Sequence, residues 1–171
     1  MLKKILSGGQ TGVDRAALDV AMAFQFSCGG SCPLGRKAED GAIDAKYPLT
    51  ELRSASYAAR TRQNILDSDG TLILAFGPLT GGTLLTHQLC RRHQKAVLVA
   101  EIQQPKLLSD HDAIEDWLID HKIEILNIAG PRESSFPTAY GKSLAYLSQL
   151  FSRKAFSTVP RKNSNTIATI F

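Results

Sequence analysis

Apolar and polar positions run along the chain in two rhythms. Short apolar runs, "KKILS" at 3–7, "GTLILAF" at 70–76, "AVLVAEI" at 96–102 and "IEILNIAG" at 123–130, have the length of strands, and "GTLILAF" reads as buried on both faces. A further strand is expected near Phe24 to Cys28. Between these runs the apolar residues recur at three- and four-residue steps. Val13, Ala16, Ala17, Val20, Ala21 and Phe24 form one helix face, and Tyr57, Ala58, Thr61, Ile65 and Leu66 another within "SASYAARTRQNILDSD". "LLTHQLCRRHQ", "DHDAIEDWLIDH" with the single tryptophan Trp117, and "KSLAYLSQLF" complete the helices.

Strands alternating with helices of this length require right-handed crossovers, which leave a parallel sheet covered on both faces. The expected class is therefore α/β, a three-layer αβα Rossmann-like domain with a mainly parallel sheet. At 171 residues with 43% apolar content the chain can bury a core of its own without disulfides or metal. Residues 1–152 are expected to be one domain. The tail 153–171, "RKAFSTVPRKNSNTIATIF", is expected to be a poorly ordered end, or else an added edge strand or partner contact. One connection is unusually long, "GGSCPLGRKAEDGAIDAKYPLTEL" at 29–52, and connections of that length are commonly functional or disordered.

The net charge of +4 changes this picture little. The tail holds four of the 20 basic side chains and no acid, so the body is formally neutral, with 16 of each sign. A neutral body gives no electrostatic footprint for a nucleic-acid backbone, so no nucleic-acid partner is expected. No apolar run reaches the roughly 18 residues of a membrane span, no membrane partner is expected, and a cytoplasmic location follows. Three cysteines, Cys28, Cys32 and Cys90, fit free thiols in a reducing compartment better than a disulfide framework.

Loops that follow the strands of a parallel sheet emerge at one carboxyl edge, where ligands bind. Four of them are rich in glycine or polar residues: "SGGQTG", "GGSCPLGRKAEDG", "GPLTGGT" and "GPRESS". Gly8, Gly9 and Gly12, with Gln10 and Thr11, lead into the first helix, and Gly81, Gly82 and Thr83 into a later one. Each helix start offers unpaired N–H groups and a favourable dipole to phosphate; each is alternatively a tight turn. Neither is a P-loop or G-x-G-x-x-G. Arg15, Arg36 and Arg132 are candidate anion contacts, although Arg15 could instead pair with Asp19. Glu39, Asp40 and Asp69 could accept hydrogen bonds from a base, pterin or sugar, or be solvated loop charge, the "DSDG" acid then marking a turn. Cys28-x3-Cys32 with His87-x2-Cys90 is a weak zinc pattern, so no tightly bound metal is expected. His93, His111 and His121 read as surface residues. No G-x-S-x-G elbow supplies an acyl-transfer nucleophile.

"SGGQTGVDRAALDVA", "CPLGRKAEDG", "YPLTE", "RTRQNILDSDGTLIL", "GPLTGGTLLT" and "NIAGPRES" resemble the putative molybdenum carrier proteins, a circularly permuted YpsA-like branch of the SLOG superfamily of Rossmann-type domains. The similarity covers roughly residues 3–151. It implies a binding or carrier protein for a small phosphorylated heterocycle, either nucleotide-derived or the molybdenum cofactor, a pterin phosphate. It also implies self-association into a homo-oligomer. The residues it points to are Gly8, Gly9, Gln10, Thr11, Gly12, Asp14, Arg15, Arg36, Glu39, Asp40, Gly81, Gly82, Thr83, Gly130 and Arg132; Leu34 departs from the pattern, and the tail has no counterpart. The same superfamily contains LOG-type phosphoribohydrolases, which cleave nucleotide N-glycosidic bonds with a glutamate in PGGxGTxxE. Here that position is Thr86, which cannot titrate near neutral pH, so binding is favoured over catalysis unless Glu39 or Asp40 supplies the carboxyl group.

Overall fold

The computed structural model describes residues 1–103, 107–153 and 156. The elements are β1 (Lys4–Leu6), α1 (Val13–Ala23), β2 (Ser27–Gly29), β3 (Ser31–Cys32), β4 (Lys37–Ala38), β5 (Gly41–Ala42), β6 (Thr50–Glu51), α2 (Tyr57–Leu66), β7 (Gly70–Ala75), α3 (Gly81–Arg92), β8 (Ala96–Glu101), α4 (Leu107–Asp120), β9 (Ile125–Ala129) and α5 (Ala139–Phe151). Five strands form one sheet in the order β2-β1-β9-β7-β8, and every pairing in it is parallel.

Crossovers of fixed hand place successive helices according to the direction the chain moves across the sheet. From β1 to β2 the chain moves one way, and from β7 to β8 the other, so α1 and α3 cover opposite faces. α1 packs along α5, and α2 along α3. Ile114, Trp117 and Leu118 of α4 share a buried cluster with Tyr146, Leu147 and Leu150 of α5. Between the layers Ile5, Leu72, Leu74, Leu126 and Ile128 are fully buried, each worth about 1.5–3 kcal/mol of apolar burial. All six residues of β7 are buried, as its continuous apolar run requires.

The sheet order has a simple origin. If the chain began at β9, its strands would follow as β9, β1, β2, β7 and β8, and the sheet would read third, second, first, fourth, fifth. That is the order of doubly wound dinucleotide folds. The chain is thus a circular permutation of that arrangement, and the point where the winding reverses lies between β9 and β7.

The long connection is ordered by a core of its own. β3 pairs with β6, while β4 and β5 form an antiparallel hairpin with Glu39 and Asp40 at its tip. Leu18 of α1 packs there with Cys32, Ala38, Ile43 and Tyr47. α1 is consequently buried on two sides, with Val13, Ala17, Val20 and Ala21 facing the sheet cluster. His111, expected at the surface, is buried against Tyr146, with ring centroids 4.5 Å apart; α5 covers a face that local periodicity left polar. Asp69 lies at the opposite edge from the glycine loops. Its carboxylate accepts from the N–H groups of Glu124 (3.0 Å) and Ile125 (2.8 Å), which sets the start of β9. Among the described residues no helix is long and apolar enough to cross a membrane. The expectations for the tail fall, at residues 154, 155 and 157–171, outside the described residues.

Candidate functional site

A cavity of about 320 Å³ opens at the carboxyl edge, at the reversal point. Ala129, Gly130, Pro131, Arg132 and Ser135 approach it from the end of β9. Thr80, Gly81, Gly82, Thr83 and Thr86 approach it from α3, and Gln10 and Asp14 from the start of α1. Tyr57, Ala58, Arg60 and Thr61 of α2 close the remaining side. Phe76 stacks on Phe136 at 4.4 Å and ties the loops that follow β7 and β9.

The starts of α1, α3 and α5 at this edge differ in what meets their N–H groups, while at α2 the Ser56 hydroxyl accepts from the Ala59 N–H (3.3 Å). At α1, the Val13 N–H donates to the Pro131 carbonyl (3.2 Å) and the Thr11 N–H to Gln10 Oε1 (3.0 Å). At α5, the Glu133 carboxylate accepts from the N–H groups of Thr138 (2.6 Å) and Tyr140 (2.8 Å). At α3 the N-cap residue Thr80 makes no side-chain cap bond, and Gly81 and Gly82 have no atom within 4 Å of where a Cβ would stand. Among the described residues, the start of α3 is the one of the three left open to a ligand. Its dipole carries roughly half a positive charge.

Gly8 and Gly12 serve close packing. A Cβ on Gly8 would stand 1.8 Å from Arg60 Nη1, so the loop lies flat against the guanidinium. Gly12 has φ of 75° and lies against the backbone at 131–133. Arg60, which sequence reasoning missed, donates from Nη1 to Asp14 Oδ2 at 2.9 Å, and its Nε is buried without a partner. Burial pushes the Asp14 carboxyl above the ordinary range, even though Arg60 and the Gln10 N–H pull against it. No local signal singled out Arg60; its neighbour one turn on, Asn64, is buried against β3, accepting from the Ser31 N–H at 2.6 Å.

Of the other predicted residues, Thr83 and Gly130 line the cavity and Gly9 lies under Leu49 and Ile43. Arg15 donates to Gly9 O (3.2 Å) and forms a two-pronged pair with Asp40 (2.8 Å on one arm) rather than with Asp19. Asp19 accepts from the hydroxyls of Tyr47 and Tyr140, and the Tyr140 hydroxyl, partly desolvated beside that carboxylate although the residue is exposed, is pushed up to about 12. Arg36 does not line the cavity. Its guanidinium binds the carbonyls of Ile43, Leu49, Asp44 and Tyr47 at 2.8–3.2 Å and holds the long connection closed. Glu39 and Asp40 are likewise absent from its lining. Asp40 is held below the carboxylate range by Arg15. Burial raises Glu39, but hydrogen bonds from Ser134 and Thr11 and the charge of Arg132 outweigh it and hold it low. Among the described residues no group of three metal-ligating side chains converges, and the three thiols are free.

These features define an α/β domain with a ligand-sized cavity at the reversal of a permuted Rossmann-like sheet. Residues 5–151 match the circularly permutated YpsA SLOG family, and the chain belongs to it. The crystal structure of a putative molybdenum carrier protein from Syntrophus aciditrophicus SB is similar at 39% identity and a TM-score of 0.84, over 92% of this chain and 96% of that one. No curated protein matches the chain.

Proposed function

We propose that the protein binds and carries a small phosphorylated heterocycle in the cavity between β7 and β9. The observation that carries this reading is the open start of α3, with bare Gly81 and Gly82 facing a cavity that Arg60 and Arg132 also line. A phosphate there would meet backbone N–H donors, the helix dipole and guanidinium charge together. The molybdenum carrier name of the similar Syntrophus protein supports a carried ligand, and the class we propose for it is a nucleotide or a pterin phosphate such as the molybdenum cofactor.

N-glycosidic cleavage is the second reading, and one observation favours it: Asp14, the carboxyl group lining the cavity, is shifted toward holding its proton. Thr86 itself donates its hydroxyl to the Gly82 carbonyl at 2.9 Å and offers no acid. Turnover of nucleoside monophosphates, lost in Asp14→Asn, would establish this reading over carriage.

Native mass spectrometry of freshly purified protein, followed by denaturing release, tests the proposal by identifying a co-purified nucleotide or pterin phosphate. Gly82→Glu is the matching substitution. A Cβ there meets nothing, and an acid suits a helix start, so the free protein should keep its stability to within about 0.5 kcal/mol. The new carboxylate takes the place of the ligand's phosphate, so the thermal shift produced by ligand in the wild type should vanish. An unchanged ligand shift would place the phosphate elsewhere.

A further inference from the structure

Glu39 occupies a position built for an anion. It stands at the tip of the β4–β5 hairpin, which is exposed, yet its side chain is only 18% exposed. Three donors from two other loops converge on its carboxylate, beside a guanidinium whose Nε–H itself donates to Ser135 Oγ (3.2 Å). The hydroxyls of Thr11 and Ser134 donate to it, the Ser134 N–H donates at 3.1 Å, and Arg132 Nε lies 3.3 Å away. A backbone N–H, two hydroxyls and a guanidinium around one carboxylate are the donor set that phosphate or sulfate would also satisfy.

The nest also borders the cavity, because Arg132 belongs to both. The hairpin that delivers Glu39 is held by few other contacts to the site. These are the Glu39 N–H to Gln10 Oε1 (2.9 Å) and the Arg15–Asp40 pair. The two strands are two residues each, so the hairpin has little hydrogen bonding of its own.

We infer that Glu39 is a resident stand-in for an anionic group, filling a second anion position at the rim of the cavity that a ligand phosphate enters by displacing the hairpin tip. This rests on the reading of the cavity as a phosphate site and adds a gate to it. The ligand class it implies carries negative charge at two places, one for the α3 start and one for the Arg132 nest. In the free protein, Glu39 neutralises Arg132 and bridges the loops at 8–12 and 131–135; in the loaded protein, the ligand does both.

The test is calorimetric titration with inorganic pyrophosphate. Glu39→Gln keeps the shape and removes the charge, and it should bind pyrophosphate roughly tenfold more tightly than wild type. Glu51→Gln, an equal charge change outside the nest, should stay within about twofold. A second readout needs no variant: pyrophosphate should accelerate tryptic cleavage of the wild type after exposed Lys37, beside the tip it releases. Equal or weaker binding by Glu39→Gln, or protection of Lys37 by pyrophosphate, would overturn the gate while leaving the cavity reading intact if the wild type still binds. Failure of both proteins to bind would overturn the gate and the phosphate reading together.

Discussion

Replacing Arg60 with alanine is expected to destabilise the protein by about 3–5 kcal/mol and to abolish ligand binding, because it leaves Asp14 buried with no opposing charge. The side chains of the pair are 11% and 5% exposed, so solvent cannot compensate for the loss. The pH dependence follows from Asp14. Burial already holds its folded-state pKa above the ordinary aspartate range, so the folded protein binds the extra proton, and stability from this group falls as pH rises from the unfolded value through the folded one. Without Arg60 the downward pull is gone, the folded pKa rises further, and the window extends upward. Urea unfolding at about pH 5 and about pH 7.5 should therefore show the deficit of the variant shrinking on acidification. Asp14→Asn in the same chain should recover part of the stability at neutral pH but none of the binding. A deficit independent of pH would mean that the guanidinium acts by packing over Gly8 and not by charge.

Arg60 also shows where sequence reading stops. Its partner lies 46 positions away, and nothing in "RTRQNIL" distinguishes an arginine that faces a carboxylate across a cavity from one that faces water. Arg15 and Arg36 show the converse. Arg15 stands in the first turn of α1 and Arg36 in the long connection, both near the carboxyl edge, where a free guanidinium would meet phosphate, yet one is paired to Asp40 and the other satisfies four carbonyls of its own connection. Composition places charge at an edge; which charges remain unspent depends on long-range contacts. The two glycine loops looked alike for a related reason. "SGGQTG" and "GPLTGGT" are both compatible with a helix start, but the first is covered by the loop after β9, which precedes α5, over a hundred residues later in the chain.

The helices and main strands were legible because each is a local pattern. β7, for example, is an uninterrupted apolar run that only a central strand can bury. The segment 29–52 was legible only as a long polar connection. Its strands are two residues each, too short for alternation to show, and its apolar residues Ile43 and Tyr47 serve a small core against Leu18 instead of a periodic face. The strand order was not legible in the sequence, since pairing partners such as β1 and β9 are more than a hundred residues apart and no periodicity records them. That pairing is what brings Pro131 over α1, and so builds the cavity.

Gly12→Ala should break this junction. The backbone at Gly12 has φ 75° and ψ −130°, outside even the left-handed helical region that other residues sometimes occupy. A methyl group there would also stand 2.5 Å from the Pro131 carbonyl oxygen and 2.9 Å from backbone atoms of Arg132 and Glu133. Because the obstructing atoms are backbone, the strand-to-loop turn after β9 must move. With it go the Val13 N–H to Pro131 bond (3.2 Å) and the Glu133 N–H to Thr11 bond (3.1 Å). The expected loss is about 3–5 kcal/mol, the sum of strained backbone and overpacking. Gly35→Ala calibrates it. Gly35 has a positive φ of 74° with ψ 15°, and open space where its Cβ would be, so it should cost only about 1–2 kcal/mol. Chemical unfolding of the two variants measures the difference, which is the contribution of the contact between α1 and the loop after β9. If the two cost the same, that contact does not hold the carboxyl edge together, and the cavity would have to be organised by the Phe76–Phe136 stack and the Glu39 bridge instead.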